Sequence, residues 1–306
     1  MRAAFVNTLT SLMREHEDIV TITPDMGFSV FEEMEREFPE RFFNTGVTEQ
    51  STLGLAAGLS MSGYKVFVYA QSIFLSLRSF EQVRLDLAYH KANVKIIGTA
   101  AGFWLSQLGT SHFALEDVGA MRILPGMTIF SPGDPMESSW ATRKAYETEG
   151  TVYMRIGKPD REVIHPKEIT AQVGEFLEIQ KGEGNLILST GGMLPTALEA
   201  AKALEKTGVS VSVYSAPTIK PLSDDSVDGI FRKYHHIFTV EEHSVLGGLG
   251  TELAEKIVEK NIKNVQLVKF GVPDEFFHIT GSRQYLLEKS GLAPGYISKK
   301  IKEILK

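Results

Sequence analysis

The sequence predicts an α/β protein with two domains, each a mostly parallel sheet flanked by helices. Its 306 residues exceed the usual size of one domain, and a hydrophobic fraction of 43% is enough for two cores. Short β-branched runs alternate with helical segments along both halves, which is the pattern of parallel sheets. The alternation stops at 157–166, where two prolines and several charges indicate a linker. The expected domains are 1–160 and 176–306, with the linker at 161–175.

The first domain is expected to begin with a helix and then to alternate strands and helices. Helical spacing of apolar residues and a glycine stop signal predict helices at Ala3–Met13, Glu32–Phe38, Ser51–Met61 and about Leu75–Tyr89. Short apolar runs predict strands at Ile19–Ile22, Lys65–Tyr69 and Val94–Gly98. Helices between successive strands return the chain in the same direction, so a parallel sheet covered on both faces is expected.

The second domain shows the same alternation in a smaller unit. Its predicted strands are Leu186–Ser189, Ser210–Tyr214, Ile237–Val240 and Val265–Lys269, with a helix at Thr196–Lys206 among them. Neither half contains an internal repeat or a low-complexity tract.

Composition excludes several functional classes. A net charge of −6 argues against a protein that neutralises phosphates, so no nucleic-acid partner is expected. The chain has no cysteine, which rules out disulfides, thiolate metal ligands and a cysteine nucleophile. The N-terminal segment is amphipathic and carries ionisable residues at 14–18, which fits neither a secretory signal nor a membrane span. A cytoplasmic protein without a membrane partner is therefore expected.

Glu49 is the most informative single residue. It follows a glycine turn in the stretch Phe38–Gln50 and opens a small, apolar helical segment, Ser51–Ser60. A carboxylate at the start of such a tightly packed segment is costly to bury unless it binds a partner. The alternative is a plain glutamate at a helix N-terminus, stabilised by the helix dipole.

Glu49 is also the first of several ordered motifs that resemble the transketolase superfamily. The others are Phe74 with Arg78, Gly109–His112 followed by Glu116 and Asp117, Ile219–Leu222, Glu241–His243 and Gly247–Gly250. They keep the family's order along nearly the whole chain, which is similar to the C-terminal half of a transketolase. The resemblance implies a pyrimidine-binding domain followed by a transketolase C-terminal domain, with thiamine diphosphate as cofactor. The last two motifs would shape packing and domain contacts.

The resemblance also assigns cofactor-binding roles. Glu49 would share a proton with ring nitrogen N1′ of the aminopyrimidine and so drive the imino form that takes the C2 proton, a task that requires a dry carboxyl group. Phe74 would stack on the pyrimidine, although a lone Phe is more often plain core. Gln71 replaces the usual companion aromatic, Asp25 matches an acidic residue near the cofactor, and Arg78 completes the set.

Substrate contacts follow from the same resemblance. His112 would contact substrate oxygens or relay a proton, which suits a histidine in a glycine-containing loop. The family's phosphate contacts fall on Arg2, Ser29 and Arg155, and a guanidinium can bind a phosphate through two hydrogen bonds. Each of these residues alone would be taken for an ordinary surface residue.

Three departures concern substrate specificity. Leu108 replaces an acidic residue that binds a ketose hydroxyl in the family, and a leucine cannot accept a hydrogen bond. Ala100 replaces a histidine, and Phe103 with Trp104 adds bulk to a usually small segment. A donor other than an ordinary ketose phosphate therefore stays open.

The family's Gly-Asp-Gly motif, which holds the diphosphate and its Mg²⁺, is absent. Gly133–Pro135 is the closest match, and its proline indicates a turn. Five histidines lack a metal-ligand spacing with carboxylates: His90, His165, His235, His236 and His278. No metal ligand is expected in this chain. A separate diphosphate-binding N-terminal subunit would then hold Mg²⁺, in an α2β2 assembly.

The predicted function is transfer of a two-carbon ketol unit from a phosphorylated ketose to an aldose, in complex with that partner. One alternative is a 2-oxoacid dehydrogenase β subunit, which shares both domains and the glutamate. A second is a transketolase-type enzyme of specialised sugar metabolism with an unusual donor. The third is a partner subunit that keeps the fold without the chemistry.

Overall fold

Each half of the chain folds around its own sheet in the computed structural model, which describes residues 1–157 and 163–306. The predicted linker at 161–175 thus lies partly outside the described residues. Residues 163–176 contain no helix or strand, as a connecting segment would. The exact domain boundaries stay a prediction.

The first domain alternates helices and strands from its first residues onward. Its helices are α1 (Arg2–Glu15), α2 (Glu32–Glu37), α3 (Glu49–Met61), α4 (Asp117–Arg122) and α5 (Pro135–Glu147). Its strands are β1 (Ile19–Thr23), β2 (Phe42–Asn44), β3 (Lys65–Gln71), β4 (Val94–Thr99), β5 (Thr128–Phe130) and β6 (Val152–Arg155). One continuous helix is predicted between β3 and β4, whereas the structure has two π-helical segments, Phe74–Arg78 and Gln82–Tyr89. Such segments are frequent at functional sites.

The second domain contains the remaining elements. Its strands are β7 (Leu177–Gln180), β8 (Asn185–Ser189), β9 (Ser212–Ser215), β10 (Thr218–Lys220), β11 (His236–Ser244) and β12 (Gln266–Val272). Its helices are α6 (Leu194–Glu205), α7 (Asp224–Lys233), α8 (Leu249–Glu259), α9 (Arg283–Lys289) and α10 (Pro294–Ile304).

Both sheets are mostly parallel, which confirms the predicted fold class. The first has seven strands in the order β10-β5-β6-β4-β3-β1-β2, and the second has five in the order β12-β11-β8-β9-β7. The antiparallel pairs are β10 with β5 and β7 with β9, each at a sheet edge. β10 is therefore supplied by the C-terminal half of the chain but completes the first sheet.

Further contacts join the two domains beside β10. Arg122, at the end of α4, donates from Nε to the carbonyl oxygen of Gly247 at 3.0 Å. Its guanidinium also forms ion pairs with Glu252 and Glu255 of α8. Lys220 of β10 donates from Nζ to the carbonyl oxygen of Arg122 at 2.8 Å. These contacts fix the second domain against the edge of the first sheet.

Alternate residues of each strand bury apolar side chains on opposite faces of the sheet, as strand geometry requires. In β3, Val66 packs in a cluster with Leu53 of α3, whereas Phe67 packs in the opposite cluster with Phe5 of α1. Helices thus cover both faces of the sheet, and the loops that connect them to the strands lie at the strand ends. No helix within 1–157 or 163–306 is long and apolar enough to cross a membrane.

Candidate active site

Most of the predicted site residues lie at the carboxyl edge of the first sheet. Asp25 follows β1, Glu49 follows β2, Gln71 ends β3 with Phe74 just after it, and Ala100 follows β4. Ligands of open α/β sheets bind in the crevice outside this edge. Parallel pairing of β1 with both β2 and β3 therefore gathers residues that are far apart in the sequence.

Glu49 is the first residue of α3, and only 6% of its surface is exposed. Its Oε2 accepts a hydrogen bond of 3.1 Å from Nη1 of Arg78, whose side chain is 46% exposed. No hydrogen bond to Oε1 of Glu49 is found within the part of the chain that the structure describes. Oε2 is thus held in place, and Oε1 can accept a hydrogen bond from a ligand.

Arg78 links Glu49 to two further predicted residues. Its guanidinium carbon lies 3.9 Å from the centre of the Phe74 ring, which is a cation–π contact. The Phe74 ring meets the His112 imidazole edge to face, with ring centres 5.3 Å apart. His112 is half-buried, and its Nδ1 lies 2.9 Å from Oγ of Ser111. Glu49, Arg78, Phe74 and His112 therefore form one continuous row.

Gln71 lies beside this row and has an unsatisfied polar atom. Its Nε2 lies 4.0 Å from Sδ of Met26, and its buried Oε1 has no hydrogen-bond partner among the described residues. A buried carbonyl oxygen without a partner is costly. A ligand with an N–H group in this crevice would remove that cost.

Asp25 and Ser29 occupy a loop with an unusual backbone. Both residues are exposed and have positive φ angles, 55° and 58°. The Asp25 amide donates to Oδ1 of Asn44, and the Ser29 amide donates to Oε1 of Glu32. Non-glycine residues with positive φ are uncommon and concentrate at functional sites. The structure keeps both side chains accessible at the crevice but shows no contact between them and the row.

Arg2 lies on the other face of the sheet, near the ends of β3 and β4. It is half-buried in α1 and interacts with the hydroxyl group of Tyr69, which also faces Thr99. Burial raises the pKa of Tyr69, while the hydrogen bond to Thr99 and the nearby Arg2 lower it. Arg2 therefore has a role in packing, and its contact with a substrate phosphate stays a prediction.

Arg155 is enclosed, and this changes its interpretation. Its side chain is 5% exposed and donates from Nε to Oδ2 of Asp117 at 2.8 Å. Its Nη2 donates to the carbonyl oxygens of Ala114 and Glu242, at 2.7 and 2.8 Å. These bonds give Arg155 a structural role. Its Nη1 has no hydrogen-bond partner among the described residues, so the receipt of a substrate phosphate by Arg155 stays a prediction.

The bulk that Phe103 and Trp104 add is packed into core clusters of the two domains. Phe103 is fully buried in the core of the second domain, with its ring centre 5.1 Å from that of Phe113 and 5.4 Å from that of Phe277. Trp104 packs against a core cluster of the first domain. Leu108, by contrast, is 54% exposed, so an apolar side chain does stand where the family has an acid.

The described residues contain one group of acidic and histidine side chains close enough to share a metal ion, and it lies outside this row. His165 Nδ1 is 3.1 Å from Oδ2 of Asp134, and its Nε2 is 3.5 Å from Oε1 of Glu137. Sequence spacing does not reveal this group for His165, because the fold joins residues about 30 positions apart. Each ring nitrogen faces a different carboxylate, which is the geometry of a bridging imidazolium.

Glu241 and His243, which have no assigned chemistry, are both buried, and His243 contacts the first domain. Glu241 accepts hydrogen bonds from the amides of Leu249 and Gly250 at the N-terminus of α8. His243 Nε2 accepts from the Gly119 amide at 3.2 Å, and burial lowers the pKa of His243 to about 4. A neutral, bonded histidine of this kind is structural. The predicted role of this motif in domain contacts is confirmed.

Comparisons with known proteins agree with this arrangement. The family model described as transketolase, pyrimidine binding domain, matches residues 1–162, and that described as transketolase, C-terminal domain, matches residues 174–297. A protein of Methanocaldococcus jannaschii named for the C-terminal section of transketolase is 36% identical in an alignment 309 residues long. The alignment covers 100% of this chain and 96% of the relative.

Two further matches cover nearly the whole chain. One subunit of the apulose-4-phosphate transketolase of Phocaeicola vulgatus is 33% identical over 299 residues, covering 95% of this chain and 94% of that protein. A solved structure described as a split gene transketolase, inactive beta4 tetramer, superposes with a TM-score of 0.89 at 35% identity. The superposition covers 99% of this chain and 96% of the solved chain.

Proposed function

This chain belongs to the transketolase family, and on that premise we propose that it is the pyrimidine-binding subunit of a split transketolase. In this proposal the complete enzyme uses thiamine diphosphate to transfer a two-carbon ketol unit from a phosphorylated ketose to an aldose. The observation that carries the proposal is the row Glu49, Arg78, Phe74 and His112 at the carboxyl edge of the first sheet.

The residues of this row fit an aminopyrimidine. Glu49 offers an oxygen without a hydrogen-bond partner at Oε1, Phe74 offers a half-buried ring, and Gln71 offers a buried oxygen that lacks a donor. A flat, nitrogen-rich ring could share a proton with Glu49 and stack on Phe74. When bound, thiamine diphosphate supplies the nucleophilic carbon that takes up the ketol unit.

The chain's own groups then have separate tasks. Glu49 would share a proton with ring nitrogen N1′, and its burial excludes the water that would compete for this bond. Arg78 holds the other carboxylate oxygen and so fixes the direction of the free one. His112, which packs edge to face against Phe74, reaches the substrate oxygens. Asp25 lies near the cofactor, and Arg2, Ser29 and Arg155 remain the candidates for the substrate phosphate.

A second subunit must complete the site. In the described part of the chain, no group of acidic or histidine side chains at this edge could hold Mg²⁺. The face of α3 that points away from the sheet is exposed although it consists of small and apolar residues, including Gly54, Leu55, Gly58 and Met61. A helix that is apolar on all sides is usually buried. We propose that a diphosphate-binding N-terminal subunit covers this face in an α2β2 complex and brings Mg²⁺.

The names of the relatives support a second chain. The Phocaeicola vulgatus protein is named as one subunit of its transketolase, and the tetramer of like chains in the split-gene neighbour is described as inactive. Both descriptions concern those proteins. For this chain they support the proposal that a complex of two kinds of subunit is the active form.

The test combines the purified chain with the product of an adjacent reading frame that carries Gly-Asp-Gly, together with thiamine diphosphate and Mg²⁺. A panel of ketose phosphates, aldose acceptors and 2-oxoacids is then assayed. We expect ketol transfer only when both chains and the cofactor are present. Turnover by this chain alone, or a complex that is indifferent to thiamine diphosphate, would contradict the proposal. Turnover of 2-oxoacids alone would favour the dehydrogenase alternative.

A specialised sugar donor is the second candidate, favoured by the exposed Leu108. Loss of the acidic side chain removes a hydrogen-bond acceptor for a donor hydroxyl, which reduces selection for that hydroxyl. Apulose 4-phosphate, named in the relative, and xylulose 5-phosphate, a ligand of a solved transketolase, are the informative pair of donors. Under this candidate kcat/KM is higher for apulose 4-phosphate, and Leu108→Asp shifts the preference towards xylulose 5-phosphate.

A further inference from the structure

The loop that carries His112 has a closed neck. Gly102 and Ala114 pair in a short antiparallel bridge with N–O distances of 3.0 and 3.1 Å. The residues between Gly102 and Ala114 include Leu108 and the helical turn Thr110–His112. The position of His112 therefore depends on what holds this neck and the loop beyond it.

Glu242 of the second domain holds both sides of the neck. Its Oε1 accepts a hydrogen bond of 2.9 Å from the Phe103 amide. Its main-chain oxygen accepts from Arg155, which also donates to the carbonyl oxygen of Ala114. One buried residue thus binds Phe103 directly and Ala114 through a single guanidinium.

The Glu242 carboxylate is itself fixed. Arg283 of α9 donates to it from Nε at 2.9 Å and from Nη2 at 2.7 Å, which is a two-point ion pair. Space around it is limited, because a Cβ atom on Gly102 would lie 2.5 Å from the Glu242 carboxyl carbon. Gly102 also has a φ of +65°, which favours glycine. The neck therefore fits closely around this side chain.

The second domain also holds the loop near its tip. The Thr110 hydroxyl donates to the carbonyl oxygen of Phe277, and the Gly281 amide donates to the carbonyl oxygen of Ser106 at 3.3 Å. Both Phe277 and Gly281 belong to 273–282, the segment between β12 and α9. The loop is thus attached to the second domain at two levels.

We propose that Glu242 is a positioning residue, through which the C-terminal domain sets the place of His112 relative to Phe74 and the bound substrate. This inference rests on the proposed function of His112. A second domain that contributes no group to the chemistry thereby controls it through geometry. Displacement of a reacting group by about 1 Å can reduce a rate about 100-fold, so the neck contacts are sufficient to matter.

The test compares Glu242→Gln and Glu242→Ala with Glu241→Gln in the assembled complex. Glu241 is the matched control, because it is an adjacent buried carboxylate whose hydrogen bonds all stay within the second domain. Three quantities are measured: kcat and KM, thiamine diphosphate affinity by fluorescence titration, and amide hydrogen exchange at 102–114.

We expect Glu242→Ala to lower kcat/KM by about 10- to 100-fold and to speed exchange at 102–114. Thiamine diphosphate affinity should stay within about 3-fold, because Glu49 and Phe74 do not contact Glu242. Glu242→Gln keeps the acceptor for the Phe103 amide and should recover part of the loss. Glu241→Gln should leave kcat/KM and loop exchange close to those of the unchanged chain even if the melting temperature falls.

Unchanged loop exchange in both Glu242 variants would overturn the proposal, as would equal loss of kcat/KM in Glu242→Ala and Glu241→Gln. The exchange measurement does not require turnover. It therefore decides the positioning role even if the complex transfers no ketol unit and the proposed function fails.

Discussion

Arg78 and Arg155 each pair with a carboxylate, but in opposite surroundings. Arg78 is 46% exposed, stacks on Phe74 and leaves one oxygen of Glu49 open. Arg155 is 5% exposed, and its donors are directed to Asp117, Ala114 and Glu242 inside the protein. The first pair lies at the crevice and can respond to a ligand. The second lies inside the first domain, and Arg155 also donates to Glu242 of the second domain.

The difference shows which arginine is held by the interior. Both fall on positions that a family resemblance marks as functional, yet burial separates them. A buried ion pair that loses one partner leaves an uncompensated charge and costs stability. The Arg78 pair has one exposed and one buried member, because Arg78 is 46% exposed and the Glu49 side chain is 7% exposed.

The strongest test of the crevice is removal of the Glu49 carboxylate. We expect Glu49→Ala to lower kcat of the assembled complex by about 10²- to 10⁴-fold, because proton transfer at the cofactor ring loses its partner. Complex formation, measured by size-exclusion chromatography, should persist. Glu81→Gln is the control, because Glu81 is an exposed acid paired with Arg84 on a neighbouring turn. Normal turnover in Glu49→Ala would remove the assignment of the activating carboxylate.

The buried pair predicts a loss of stability instead. Arg155→Met should lower the free energy of unfolding by about 3–5 kcal/mol, because Asp117 is left charged in the interior. The measurement is urea denaturation of the chain, with Arg143→Met as an exposed control. An unchanged free energy of unfolding in Arg155→Met would contradict the enclosed geometry.

The sequence predicts the open site better than the buried one. Glu49, Phe74 and His112 belong to short, ordered motifs that can be recognised without the fold, and the structure brings them together. The partners of Arg155 lie 38, 41 and 87 positions away, so no local pattern could reveal its enclosure. The folding of the first domain brings Asp117 and Ala114 to Arg155, and the packing of the second domain against the first adds Glu242.

Fold prediction shows the same dependence on long-range contacts. The buried strands β3 and β4 are visible as apolar runs, and the structure has them within two residues of the predicted ends. β10 has only three residues and pairs with a strand of the other domain, so no periodic signal marks it. His165 likewise meets Asp134 only because the chain returns to the start of α5.

Arg78 should contribute less than Glu49. We expect Arg78→Ala to weaken thiamine diphosphate binding by the complex about 3- to 10-fold, because Glu49 loses its orienting donor and Phe74 loses a cation–π contact. Fluorescence titration measures this, and Arg84→Ala is the exposed control. The free energy of unfolding should also fall, because the Glu49 side chain is only 7% exposed and loses its ion-pair partner. Tighter cofactor binding in Arg78→Ala would show that Arg78 occupies the place of the ring.

The smallest expected effect concerns the buried His165, which lies between Asp134 and Glu137. Burial opposes a charge on this ring, but the hydrogen bond to Asp134 and the two carboxylates raise the pKa of His165. Burial raises the pKa of Glu137 to about 7. Both shifts mean that the folded chain binds protons more tightly than the unfolded chain. The His165 contribution is full below the ordinary histidine pKa of 6.5 and is lost as pH rises through the folded pKa of His165. The Glu137 contribution is lost earlier, between pH 4.5 and about 7.

We therefore expect the midpoint of urea denaturation to fall between pH 6 and about pH 8.5 more in the unchanged chain than in His165→Gln. His90→Gln is the control, because His90 is exposed and faces no carboxylate pair among the described residues. The same slope in all three proteins would show that His165 holds no extra proton when folded. A steeper fall of the urea midpoint with pH in the two proteins that keep His165 would show that His165 binds an extra proton in the folded chain.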